Sequence, residues 1–219
     1  MNKFIFMFLQ RSFYSLMLLS VTLLNMTFAS PINVKATIEA GTCDVFVNTA
    51  GADISTPGSA NEKLVLNPVS PADLLQGKQP VNLKAVTLQL SNCSGGRGSN
   101  SEKPALIIRA GAGGGIVSGE PHLFREASSS ADKRIGVVVA KSENPGDPGT
   151  GWANYVSSGE IVYLSSQSVS IDDANSEVMN KNFWLGTSCG TEAQCAAGGG
   201  ASLTGGNVNA KMVFEFKYK

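Results

Sequence analysis

Four cysteines are the residues of this 219-residue chain whose chemistry can be inferred most directly: Cys43, Cys93, Cys189 and Cys195. Zinc sites require closely spaced cysteines combined with histidine or further cysteines. Here Cys43 and Cys93 are isolated, and the only histidine is His122. The spacing therefore favours two disulfides, and neither a metal nor a cofactor is predicted.

Four cysteines allow three pairings. Cys189 and Cys195 are close enough in the chain to close a small local loop, which leaves Cys43 and Cys93 for each other. The predicted disulfides are thus Cys43–Cys93 and Cys189–Cys195.

No arrangement of catalytic side chains is recognisable, and we predict a protein without enzymatic activity. The glycine run at 111–115 is not followed by a helix or by Lys-Ser/Thr, as a phosphate-binding loop requires, and is interpreted as a flexible surface loop. His122 has no evident nucleophile partner and is interpreted as an exposed turn residue. Asp172 and Asp173 lack the spacing of an EF-hand and indicate a solvated turn. The Asn92-Cys93-Ser94 sequon is a weak and common match.

The first 29 residues differ in character from the rest of the chain. They contain Lys3 and Arg11, no acidic residue, an apolar run at 13–24 and the ending Thr27-Phe28-Ala29. These are the parts of a secretory signal peptide, with cleavage predicted after Ala29. The alternative, a membrane anchor, would need about 20 apolar residues in succession. Export also explains the disulfides, because they form in oxidising compartments.

Charge excludes other classes of protein. The 17 basic and 17 acidic residues cancel, so no basic surface for nucleic acid and no charged tail is predicted.

Alternation with period two indicates an all-β chain. Ile32, Val34, Ala36, Ile38 and Ala40 alternate with polar residues ahead of Cys43. Further strands are predicted at 44–47, 64–66, 81–92, 105–110, 134–141, 161–164, 182–186 and 208–218. Glycine-rich turns between short strands are typical of a sandwich, and one domain is expected.

Three features together resemble the pilin subunits of chaperone–usher fimbriae, over most of residues 30–219. The alternating extension precedes Gly41-Thr42-Cys43, a strand ends in Leu90-Ser91-Asn92-Cys93, and the C-terminal strand runs from Gly206, fourteenth from the end, to the penultimate Tyr218. Each feature by itself is a weak signal.

The resemblance implies an incomplete immunoglobulin-like sandwich that lacks its final strand and is completed by strand donation. Residues 30–40 would be the donor strand and 41–219 the pilin domain. The acceptor groove, also the contact for a chaperone, would lie along the C-terminal strand. Its expected residues are Gly206, Ala210, Met212, Phe214, Phe216 and Tyr218.

The implied partners are a periplasmic chaperone, an outer-membrane usher and neighbouring pilin subunits, with a host receptor as a further option. The implied location is a fimbrium on the bacterial surface, reached through the periplasm. Two features depart from the family pattern. The Cys189–Cys195 pair suggests a specialised minor subunit, and Ala36 stands where many donor strands have glycine.

Other interpretations stay open. Residues 30–40 could be a strand of the chain's own core. The chain could be a single-domain tip adhesin that binds a host glycan through exposed aromatics such as Trp152 or Tyr155, although a terminal subunit needs no donor strand. A secreted hydrolase is a remote third alternative, since no nucleophile–base pair is found.

Overall fold

The computed structural model describes residues 28–36, 44–49, 62–76, 80–91, 103–164, 180–196 and 203–219. Most of the predicted signal peptide, Cys43 and Cys93, and the Asp172-Asp173 turn lie outside these ranges.

Eleven strands make up most of the described part of the chain. They are β1 (Phe28–Ala36), β2 (Asp44–Thr49), β3 (Glu62–Val69), β4 (Val81–Ser91), β5 (Pro104–Ala110), β6 (Gly114–Val117), β7 (Glu120–Glu126), β8 (Gly136–Ala140), β9 (Glu160–Tyr163), β10 (Asn180–Ser188) and β11 (Ala210–Tyr218). The all-β prediction is confirmed.

Two short α-helices interrupt this pattern in the described residues, α1 (Pro71–Gln76) and α2 (Glu192–Ala196), together with one 3₁₀ turn at Pro148–Thr150. Each α-helix begins with a reciprocal capping arrangement. Ser70 Oγ accepts a hydrogen bond from Asp73 N, while Asp73 Oδ2 accepts one from Ser70 N. Thr191 and Gln194 repeat this exchange in α2. Neither helix is long or apolar enough to cross a membrane.

The strands form two sheets. One has the order β3-β1-β11-β5-β9, and the other has the order β2-β4-β10-β8-β7-β6. Neighbouring strands are antiparallel except for β1 and β11, which run parallel.

The core lies between the two sheets. It contains alternate residues of the inner strands, as period-two alternation requires. The first sheet contributes Leu64, Leu66, Leu106, Ile108, Met212, Phe214 and Phe216. The second contributes Val86, Leu88, Leu90, Val137, Val139, Phe183 and Leu185. The described residues therefore form a β-sandwich.

The structure corrects the interpretation of the glycine run at 111–115 as a flexible surface loop. Gly114–Val117 is strand β6, paired with β7 in a hairpin. Glycine is depleted in strands, so the run did not indicate one. Here it is needed for close approach, since a Cβ on Gly114 would lie 2.7 Å from the backbone oxygen of Lys211 in β11.

Candidate functional site

The candidate site is the position of β1 in the first sheet, between β3 and β11. In the described residues β3 and β11 share no ladder of their own, and β1 pairs with both. Its register sets Ile32, Val34 and Ala36 opposite Ala210, Met212 and Phe214 of β11. We call the space between β3 and β11, which β1 occupies, the groove.

One wall of the groove is β11, whose inner face is apolar. The side chains of Ala210, Met212, Phe214 and Phe216 are all buried, at most 1% exposed. Phe214 packs against Phe183 of the facing sheet, with ring centroids 6.3 Å apart. This face agrees with the sequence prediction, because residues two apart on a strand lie on the same side.

The wall opposite β11 is β3, whose role in the groove was not predicted. Leu64 and Leu66 are buried in the same core as the β11 residues, while Val65 between them is half exposed. This Leu-Val-Leu alternation had indicated a strand. Its place beside β1 depends on pairing between distant segments, for which no local signal exists.

The outer face of β11 contains a buried carboxylate. Glu215 is 4% exposed and forms ion pairs with Lys217 on its own strand and with Arg109 on β5, 3.3 Å away. The contact with Lys217, helped by the charge of Arg109, lowers the pKa of Glu215 despite its burial. The carboxylate is therefore paired, as a buried charge must be.

The predicted donor residues are only partly described. Ile32, Val34 and Ala36 belong to β1, whereas Ile38 and Ala40 lie outside the described residues. In this structure β1 fills the groove of its own chain, which does not confirm that the sandwich lacks a strand. It matches the alternative in which the segment belongs to the chain's own sheet, and donation to another subunit stays a prediction.

The two ends of the predicted acceptor strand have distinct surroundings. Tyr218 pairs with Pro104 in the ladder between β11 and β5, and the Lys219 backbone exchanges hydrogen bonds with Lys103. Gly206 precedes β11. Its φ of +152° favours glycine, and a Cβ there would lie 2.6 Å from Ala131 N. Glycine at this position thus permits close contact with the loop before β8.

The predicted Cys189–Cys195 disulfide is present, with Cα atoms 5.1 Å apart, and both residues are buried in the main core. It joins the end of β10 to α2. The predicted Cys43–Cys93 disulfide lies outside the described residues. The register of β2 and β4 pairs Asp44, the first residue of β2, with Ser91, the last residue of β4. In the sequence, Cys43 is one residue before Asp44 and Cys93 is two residues after Ser91.

The aromatic residues considered for glycan binding are not an exposed platform. Tyr155 is fully buried, and its hydroxyl donates a hydrogen bond to the backbone oxygen of Gly146. Burial raises the pKa of this phenol. Trp152 is half-buried and packs edge-on against Tyr155, with centroids 5.2 Å apart. Together they cover a second, smaller core on the outer side of the second sheet.

His122 is part of this cluster and not the exposed turn residue that was predicted. It belongs to β7, is half-buried and stacks on Trp152, with centroids 4.5 Å apart. Its Nδ1 is buried without a hydrogen-bond partner among the described residues. Desolvation by burial lowers its pKa, although Glu160 opposes this shift. The ring therefore has a packing role in the aromatic cluster.

Within the described ranges, no group of three or more His, Cys, Asp or Glu side chains is placed to hold a metal ion.

The sequence matches no described protein family. It likewise matches no curated protein. Among solved structures, the P pilus rod subunit PapA is similar, with 16% sequence identity over 84% of this chain and 96% of that chain and a TM-score of 0.40. The two-sheet architecture described above rests on strand pairing and does not depend on this similarity.

Proposed function

We propose that this chain is a structural subunit of a bacterial surface fibre, in which β1 of one copy fills the groove of the next. Its first described strand, β1, runs between β3 and β11, which share no ladder in the described residues, and it pairs with β11 in parallel; this observation carries the proposal. The resemblance of both chain ends and of Cys43 and Cys93 to fimbrial pilins supports it.

The groove explains why such a subunit needs a partner strand. Without β1, the buried face of β11 and the backbone N–H and C=O groups of β3 and β11 would be exposed, which is a template for aggregation. By β-strand addition, a strand from another chain could cover this apolar face and pair with these backbone groups. A chaperone in the periplasm, an usher in the outer membrane and neighbouring subunits are therefore the proposed partners.

The position of β1 in its own sheet is compatible with exchange. A tethered strand has a high effective concentration at its own groove, so an isolated subunit is expected to fill it. Exchange of the same element between copies replaces one set of contacts with an equivalent set, which makes domain swapping a low-cost route to assembly. No catalytic step belongs to this proposal.

The test compares two adjacent positions of β1. Val34 lies opposite Met212 in the register, and Asn33 lies opposite Lys211. Val34→Asp places a charge opposite a buried apolar residue, where an unpaired charge is strongly unfavourable. We expect fibres sheared from cells to be lost in Val34→Asp and retained in the matched control Asn33→Asp.

Peptide addition separates failed folding from failed donation. We expect purified Val34→Asp subunit to capture a wild-type peptide of residues 30–40 and to regain thermal stability on doing so. Normal fibres from Val34→Asp, or no fibres from the wild-type chain, would contradict the proposal.

A further inference from the structure

The Cys189–Cys195 loop lies at the end of the groove where β1 begins. β3 runs antiparallel to β1 and ends at Val69, which pairs with Phe28. α1 follows β3 directly, through the capping residue Ser70. The loop contacts α1, since Cys189 Sγ lies 3.6 Å from the backbone oxygen of Leu74. Through α1 the disulfide is thus connected to the β3 wall.

A second chain of contacts connects the same loop to the β11 wall. The backbone oxygen of Cys195 accepts a hydrogen bond of 2.9 Å from Arg134 Nη1. Arg134 also forms an ion pair with Asp132, with 2.7 Å between Nη2 and Oδ2. Asp132 N donates to the oxygen of Thr204, and Thr204 N donates back to the Asp132 carboxylate. Residues 204–209 lead directly into β11.

The contact between the disulfide and α1 is part of the core beneath the groove. The buried residues Leu74, Cys189 and Cys195 belong to the same cluster as Met212 and Phe214. Strands in a sheet lie about 4.8 Å apart, so walls that lack the strand between them must stay about 10 Å apart to accept another. Nothing in the sheet itself maintains that separation, because β3 and β11 are joined only through β1 in the described residues.

We propose that the Cys189–Cys195 loop, together with α1 and the Asp132–Arg134 pair, is a clamp that keeps the walls of the empty groove at the separation an incoming strand needs. This inference rests on the proposed function, because it takes the groove as the site of strand exchange. Preorganisation of this kind lowers the cost of ordering the walls when a strand binds. It assigns a role to the second disulfide, which the family pattern does not include.

The first test of the clamp asks whether the stabilising effect of the disulfide depends on β1 being in the groove. Four mature chains are compared by urea denaturation: wild type, Val34→Asp, Cys189→Ser/Cys195→Ser, and all three substitutions together. While β1 is in place it already connects the walls, so we expect loss of the disulfide to lower the urea midpoint more in the Val34→Asp background than in the wild type. Additive effects would show that the disulfide acts independently of the groove and would overturn the proposal.

Peptide capture provides the second measurement. In the Val34→Asp background, with a labelled peptide of residues 30–40 as the probe, we expect Arg134→Gln and Cys189→Ser/Cys195→Ser each to weaken binding at least tenfold. Lys133→Gln, an exposed neighbour, is the matched control and should bind like its parent.

The outcomes distinguish the two proposals. If the Val34→Asp parent captures no peptide, the groove is not an acceptor and the proposed function fails. If the parent captures the peptide and both clamp variants bind it equally well, only the clamp is overturned.

Discussion

Asp132 and Arg134 show how two side chains two residues apart can organise distant segments. Arg134 donates hydrogen bonds to both carboxylate oxygens of Asp132, from Nε and from Nη2. This bidentate geometry is the strongest form of an arginine–carboxylate contact. Asp132 also forms a hydrogen bond with Thr204, and Arg134 forms one with Cys195. The pair therefore connects the loop before β8 to α2 and to the segment before β11.

The pair predicts a dependence of stability on pH. The hydrogen bonds from Arg134 hold the pKa of Asp132 well below its usual range. Because this pKa is lower in the folded than in the unfolded chain, the carboxylate stabilises the fold above its unfolded pKa of about 4. That contribution is lost as the pH falls from there through the folded pKa.

Asp132→Asn should therefore lower the free energy of unfolding by about 2 kcal/mol at neutral pH, a typical value for hydrogen bonds to charged groups. The difference between wild type and variant should shrink below pH 4. Urea denaturation at a series of pH values measures it, and a difference that stays constant down to pH 2 would contradict this account.

At the scale of elements, alternation predicted strands well where one face is buried and the other is not. β3 is the clearest case, with Leu64 and Leu66 buried and Val65 between them half exposed. β6 was missed because its glycines have no side chains to alternate. Its strand conformation comes from pairing with β7 and from close contact with β11.

The β2–β4 pair supports the prediction of the first disulfide. The register sets Asp44 opposite Ser91, and in the sequence Cys43 immediately precedes Asp44 while Cys93 is two residues after Ser91. A non-reduced proteolytic digest should yield a peptide linking Cys43 to Cys93, and Cys43→Ser should reduce the amount of folded subunit. A link from Cys43 to Cys189 or Cys195 would refute the pairing.

At the scale of the whole molecule, β1 has an unusual position. It pairs with two strands that come from distant parts of the chain, and its pairing with β11 is parallel. Seven residues separate it from β2, which is in the other sheet. With the predicted cleavage after Ala29, β1 would be joined to the rest of the sandwich only through residues 37–43, and such a strand can leave while the other strands stay paired.

Hydrogen exchange should detect this. We expect the amides of β1 to exchange by local opening, faster than those of β4 and β10, which are interior strands of the second sheet. The reason is that exchange of a strand between subunits requires its release without global unfolding. Native-state hydrogen exchange under mild denaturant measures the two opening free energies. Equal values for β1 and β10 would mean that β1 leaves only when the whole chain unfolds.

Patterns along the chain were enough to predict the all-β class, most strands, the apolar face of β11 and the Cys189–Cys195 disulfide. These depend on alternation along one strand or on closure of a short loop, which are local properties. The three-dimensional fold was needed to show that β1 lies between β3 and β11, that Tyr155 and His122 pack in a second core, and that the disulfide loop connects to both sides of the groove. Such contacts join residues far apart in the chain, and their energies depend on which surfaces meet, so no local pattern of residue types specifies them.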